Sequence, residues 1–303
     1  MALVFHDGKF VPESKIQKEA GEAAVLRRLR SFLDANEPGI VRILVNTWRS
    51  QGQAITYKEL REAILAGDIS TEYLEDWIQD YNRFVIESLR PAWLDAISAA
   101  AREKAKEYPL FSFDPMADGV LTWAKDQAAK FVTNVTTTQI EGLRAVVQRA
   151  AVLEDISVDE LARTIRPMVG LTKPQAMANM RYYESLKKHG TSEKRARELA
   201  AKYAAKQHRY RAYSIARTEL ADAYSQGAYQ GTKQAQAAGY MGRATATWDT
   251  AEDERVCPTC GKLNGKTVDL DVGFNLPNGR KLPPAHPGCR CSYIIKEVSP
   301  PTK

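Results

Sequence analysis

Apolar residues recur at helical spacing over most of this chain. Val25, Leu26, Leu29, Phe32 and Leu33 share one face, and Ile40, Val41, Leu44, Val45 and Trp48 form the next stripe. Between them, Asn36-Glu37-Pro38-Gly39 predicts a break. Thr56 and Glu59 form a capping box ahead of Leu60 and Ile64, and Gly67 ends that helix. Tyr73, Leu74, Trp77, Ile78, Tyr81, Phe84, Val85 and Leu89 make a longer stripe. Pro91 should kink or end it, because proline lacks the backbone donor; Trp93, Leu94 and Ile97 continue the apolar face.

The same period returns at Ile140, Leu143, Val146 and Val147. Ser157/Glu160 and Thr172/Gln175 read as two more capping boxes, the second with Pro174 in the first turn, where it is tolerated. That helix stops at Lys187-Lys188-His189-Gly190. Ser192 then caps a long, alanine-rich helix running towards Gly239, weakened at Gly227 and Gly231.

Strand patterns lie only at the two ends. Short apolar runs around Asp7-Gly8 predict a small hairpin. Ala244 to Trp248 reads as a strand, Asn264-Gly265 as a hairpin turn, and Ser292 to Ile295 as a closing strand. The fold class is therefore mainly α: a helical body with a long basic helix and a small C-terminal β-rich module. The loop-like stretch EYPLFSFDPMADG suggests a boundary near residue 110. The expected division is a helical N-terminal region (1–110), a helical middle region (111–190), and the long helix with its module (191–303). No internal repeat is evident.

Composition changes this picture little. The chain of 303 residues is 44% hydrophobic and 26% charged, ordinary for a soluble globular protein. No apolar run reaches the roughly 18 residues that span a bilayer, and the N-terminus lacks the layout of a secretory signal. The expectation is a protein made in the cytosol, with no membrane partner.

Charge adds more. The formal net charge is only +6, but ten basic residues fall between Lys187 and Arg217, opposed by Glu193 and Glu198. Lys194, Arg195, Arg197, Lys202, Lys206, Arg209 and Arg211 are the candidates for nucleic-acid contact, with Tyr203, Tyr210 and Tyr213 interleaved. Cations displace condensed counterions from phosphates, and rings can stack. A solvated face or a docking surface for an acidic partner is the alternative.

The four cysteines add a chemistry. Cys257 and Cys260 stand as C-x2-C; after 28 intervening residues come Cys289 and Cys291 as C-x-C. In a reducing cytosol this clustering favours a metal over disulfides. VCPTCGK resembles a zinc knuckle, whose tight turn aims both sulfurs at one ion. Thiolate-rich tetrahedral coordination suits Zn²⁺, which would stabilise a module too small for a large core. The preferred ligands are Cys257, Cys260, Cys289 and Cys291, with His286 as the alternative to either of the last two. Catalytic signatures are missing: there is no H-E-x-x-H, no Walker loop and no dinucleotide fingerprint, and four thiolates close a zinc shell. The catalytic set is none.

One ordered set of residues goes beyond spacing. It comprises Arg217, Thr218 and Glu219; Gly227; Trp248, Asp249, Asp253, Arg255 and Val256; Gly265 and Phe274; then Pro283, Pro284, His286, Cys289, Arg290 and Cys291. This order resembles the C-terminal domain of phage head morphogenesis proteins, the Mu F-like minor capsid family. One position departs: many members carry histidine where Cys260 stands. The resemblance implies a minor capsid component of a tailed phage, present in few copies near the portal. It would assist procapsid assembly and DNA packaging or delivery. The implied partners are portal protein, major capsid or scaffold protein, and phage DNA. The implied places are the virion interior and, during assembly, the host cytoplasm. A cytosolic nucleic-acid-binding protein with a zinc-ribbon-like module is the alternative, and an enzyme such as a toxin the third reading. Trp248 is expected as a core anchor, and Glu219 or Asp222 is expected to meet a module cation such as Arg255 or Arg290.

Overall fold

The computed structural model describes residues 3–6, 9–70, 72–250 and 256–299. Helices dominate, as the periodicity requires. In chain order they are α1 (Glu13–Ala54), α2 (Tyr57–Ala66), α3 (Glu72–Phe84), α4 (Arg90–Ala105), α5 (Asp118–Ala151), α6 (Val158–Ile165), α7 (Lys173–Lys188), α8 (Glu193–Ala237) and the single turn α9 (Pro258–Gly261). Strands β1 (Leu3–His6) and β2 (Lys9–Pro12) pair antiparallel as the expected hairpin. Near the C-terminus β3 (Ala244–Asp249), β4 (Thr267–Asp269) and β5 (Ser292–Glu297) form an antiparallel sheet in the order β4-β3-β5.

Two proline expectations turn out differently. Pro38 does not break the chain: α1 continues through it. Buried Leu29 and Leu33 on one side and Ile40 and Leu44 on the other outweigh the one lost hydrogen bond. Before Pro91, the helix widens into a π-turn over Val85–Leu89, and α4 then starts at Arg90.

Two compact units result, and neither follows chain order. One gathers Met1–Glu37, Ala92–Leu121 and Ile215–Lys303; the other gathers Pro38–Pro91 and Thr122–Ser214. The stretch around residue 110 is irregular as expected, yet it is fastened rather than a linker. Asp114 N–H donates to Gln234 Oε1 at 2.8 Å, Gln234 Nε2 returns a bond to Asp114 O at 2.9 Å, and Tyr240 OH donates to Leu110 O at 3.2 Å.

In the second unit the core carries a polar thread. Trp48 Nε1 donates to Tyr81 OH at 2.8 Å, Tyr81 OH donates to Gln139, and Gln139 Nε2 donates to Gln51 Oε1 at 2.9 Å. The caps behave unequally. Thr56 and Glu59 form their full box. Ser157 accepts the Glu160 N–H at 3.2 Å, but the Glu160 carboxylate does not return, because Tyr183 and Lys187 hold it in the core.

In the first unit α8 crosses α4 at its two interior glycines. A Cβ at Gly227 would lie 2.3 Å from the backbone oxygen of Ile97, and one at Gly231 would lie 3.1 Å from Ala101. These glycines mark close helix approach and do not interrupt α8. The module core is built on Trp248, Phe274, Leu270, Leu276 and Tyr293. Trp248 is 1% exposed and meets Phe274 edge-on at 5.0 Å, the anchor role expected of it. Asn264-Gly265 makes a turn, with Gly265 at φ 72°, but it does not join two strands directly. It returns the chain from α9 into β4, so the connection from β3 carries the first cysteine pair.

Candidate metal centre

Two four-residue turns bring the sulfur and imidazole groups together. The first is Cys257-Pro258-Thr259-Cys260. Cys257 stands at the N-cap of α9 with extended backbone, φ −71° and ψ 156°, and its Sγ accepts the Cys260 N–H at 3.4 Å. Pro258 suits this first turn because its missing N–H would have no helical partner there. Gly261 N–H closes the turn on Cys257 O at 2.9 Å.

The second is His286-Pro287-Gly288-Cys289. Cys289 N–H donates to His286 O at 3.1 Å, and Gly288 sits at φ 69°, a left-handed geometry that glycine adopts without strain. His286 Nδ1 donates to Pro287 O at 3.0 Å, which leaves the Nε2 lone pair free to face the sulfurs. Nε2 lies 3.2 Å from Cys257 Sγ and 3.3 Å from Cys260 Sγ, and Cys260 Sγ lies 3.7 Å from Cys289 Sγ. Cys291 closes a second group with Cys260 and Cys289, all three donor atoms within 4.8 Å of one another. None of the four cysteines is in a disulfide.

The surroundings of Cys289 favour its ionised form. The Cys291 thiol donates to it and, with backbone amides and the nearby imidazole, holds Cys289 below the ordinary thiol range despite burial. Cys291 is raised by the same contact and by burial. Burial pushes Cys260 up, as does the neighbouring Cys289. Burial opposes ionisation of Cys257 too, but the Cys260 N–H and the imidazole outweigh it, so its pKa falls. Burial lowers His286, yet the Pro287 carbonyl and the adjacent sulfurs raise it on balance. Soft sulfur donors with one oriented imidazole fit a tetrahedral ion of the Zn²⁺ class.

α8 holds this module along one face. Thr218 Oγ1 accepts the Gly288 N–H at 3.0 Å, Asp222 Oδ2 meets Arg280 Nη1 at 2.5 Å, and Ser225 O accepts from Tyr293 OH at 2.6 Å. Lys233 Nζ meets Asp271 at 2.9 Å. These residues stand four, three and eight positions apart, the spacing of one helix face. Asp222 thus takes the part expected of Glu219 or Asp222, with Arg280 as a module cation opposite it. Arg217 turns elsewhere: its Nε lies 2.9 Å from buried Glu37, and Nη2 lies 3.7 Å from Asp34. Glu219 is half-buried. Asp253 and Arg255 lie outside the described residues. Thr218 stands in the ordered motif set, but its bond to Gly288 was not legible there, and Arg280 carried no sequence signal; each depends on a partner at least 58 residues away.

The basic helix divides into parts. Lys194, Arg195, Lys202, Lys206 and Arg209 are exposed. Arg195 meets Glu198 at 3.4 Å and Arg197 meets Glu193 at 3.3 Å. Lys202, Lys206 and Arg209 share a stripe with Tyr213, beside Tyr210, which is 72% exposed. Arg211 departs from the expectation for nucleic-acid contact. It is 6% exposed, donates to Gly170 O and to Thr138 Oγ1 at 2.7 Å, and lies over the Trp48 ring at 5.0 Å. Its donors serve the core, and no phosphate can reach them.

A small antiparallel sheet, closed by two thiol-bearing turns and docked on a long helix, makes up the C-terminal module. Residues 144–294, about half of the chain, match the family described as Phage Mu protein F like protein, so the chain carries a Mu F-like phage head morphogenesis domain. No curated protein and no solved structure gave a match. Among the described residues, no helix is long and apolar enough to cross a membrane.

Proposed function

We propose that this chain is a minor capsid protein of a tailed bacteriophage, assisting procapsid assembly and DNA packaging or delivery near the portal. The Mu F-like head morphogenesis domain over residues 144–294 carries this reading. Its partners are portal protein and major capsid or scaffold protein, with packaged DNA on the exposed stripe of Lys202, Lys206 and Arg209. It works in the host cytoplasm during assembly and then in the virion interior. The role is non-enzymatic. A structural Zn²⁺ held by the cysteine and histidine cluster ties β3, β5 and the two turns into one rigid unit, which α8 presents to the assembly.

Tagged protein expressed in the phage context tests this. Co-purification with procapsids and portal, together with a loss of DNA-filled heads when the chain is absent, is expected. Recovery only with free nucleic acid, and never with head structures, overturns it. That result favours the second reading, a cytosolic nucleic-acid-binding protein, for which the exposed cationic stripe on α8 is the supporting observation.

A further inference from the structure

We infer that the metal shell consists of Cys257, Cys260, His286 and Cys289, and that Cys291 stands outside it as a buried hydrogen-bonding neighbour. This rests on the metal reading above and decides between its alternatives.

The case is geometric. Cys257-Pro258-Thr259-Cys260 and His286-Pro287-Gly288-Cys289 share a residue pattern. Each has proline second and a cysteine fourth; the first closes as a helical turn, with Gly261 N–H on Cys257 O, and the second as a tighter turn, with Cys289 N–H on His286 O. A closed turn brings its first and fourth residues together, so each presents two donors side by side. A tetrahedral ion with sulfur at about 2.3 Å and nitrogen at about 2.0 Å sets its ligands about 3.5–3.8 Å apart. The contacts between the two turns, 3.2, 3.3 and 3.7 Å, fall near these edges. The imidazole is already oriented by its Nδ1 bond to Pro287 O, as metal-bound histidines are.

Cys291 belongs to neither turn. It directly precedes β5, whose first residue, Ser292, is in register with Asp249 of β3. The sheet therefore fixes its backbone. Its sulfur groups with those of Cys260 and Cys289 and not with Cys257 or His286. The second turn is also held independently of Cys291, through the Gly288 N–H bond to Thr218.

Metal loading of the full chain tests the assignment. Zn²⁺ per chain is measured by elemental analysis after gel filtration, and Co²⁺ is substituted to read its thiolate charge-transfer absorption. Wild type should take up one equivalent, with an absorption intensity of three thiolates. Cys291→Ser should keep the equivalent and an unchanged Co²⁺ spectrum, whereas His286→Ala and Cys289→Ser should bind at least about tenfold more weakly. Loss of metal in Cys291→Ser, or a four-thiolate spectrum in the unmutated protein, overturns the assignment while leaving a metal site in place. The spectrum of unmutated protein decides even if a variant does not fold. Failure of wild type to take up either ion overturns the metal reading and this inference together.

Discussion

Thr218, on the long helix, accepts the backbone N–H of Gly288 at 3.0 Å and so connects the helix to the turn that carries His286 and Cys289. Thr218→Val keeps the shape and removes the acceptor. A single net hydrogen bond is worth about 0.5–1.5 kcal/mol, so the melting temperature should drop by only a few degrees. Metal affinity should fall with it, because the turn is less well held. Thermal melts with and without Zn²⁺ should show the larger change in the Zn²⁺ sample. An equal change in both would separate Thr218 from the metal turn.

Two glycines should respond to alanine for different reasons. At Gly288 a Cβ meets nothing within 4 Å, but φ is 69°, so Gly288→Ala should cost about 1 kcal/mol from backbone strain alone. At Gly227 the helical backbone welcomes alanine, but the Cβ would lie 2.3 Å from Ile97 O. Overpacking against a backbone that cannot yield should cost about 1–3 kcal/mol or more. Urea denaturation of both variants should rank Gly227→Ala as the more damaging.

Arg217 and Glu37 form a buried pair 2.9 Å apart, with the Glu37 side chain 3% exposed. Arg217→Ala leaves that carboxylate buried without its guanidinium, which should cost about 3–5 kcal/mol. Arg217→Ala combined with Glu37→Gln should recover part of the loss. A double-mutant cycle measures the coupling, and additive losses would contradict a direct pair.

His208 gives the second unit a pH dependence. Burial first of all lowers its pKa to about 4, from an unfolded value near 6.5, and it stays neutral while its Nε2 donates to Val169 O at 2.8 Å. Between these two values the unfolded chain binds the extra proton. Stability from this group is therefore complete above about pH 6.5 and declines as pH falls towards 4, by about 3 kcal/mol in all. His208→Gln should flatten that part of the stability–pH curve. An unchanged slope would mean that other groups set it.

The basic residues of α8 should separate into two behaviours. Lys202→Glu, Lys206→Glu and Arg209→Glu together should weaken retention on duplex DNA at least tenfold at low salt and leave the melting temperature nearly unchanged, since all three side chains are exposed. Arg211→Ala should instead lower the melting temperature, because it removes the donor to Gly170 O and Thr138 and the cation over Trp48. Filter binding and thermal melts on the same preparations read both effects.

What the sequence determined by itself was local. Apolar period set the helices, Thr56/Glu59 set a cap, and Gly190 set a helix end. Proline and glycine made Cys257–Cys260 and His286–Cys289 into turns, because those residues restrict or extend backbone dihedrals wherever they stand. The order of motifs from Arg217 to Cys291 was likewise legible. What only the tertiary structure decided was which faces meet. Packing on both sides carried α1 through Pro38, and bonds from Gln234 and Tyr240 fastened the loop that suggested a boundary. The core claimed Arg211 out of a basic run that looked uniform. The approach of His286 Nε2 to two sulfurs, and the meeting of Asp222 with Arg280, join residues 26 or more positions apart. No local periodicity encodes such pairings, because they depend on how helices and turns dock once their apolar faces are buried.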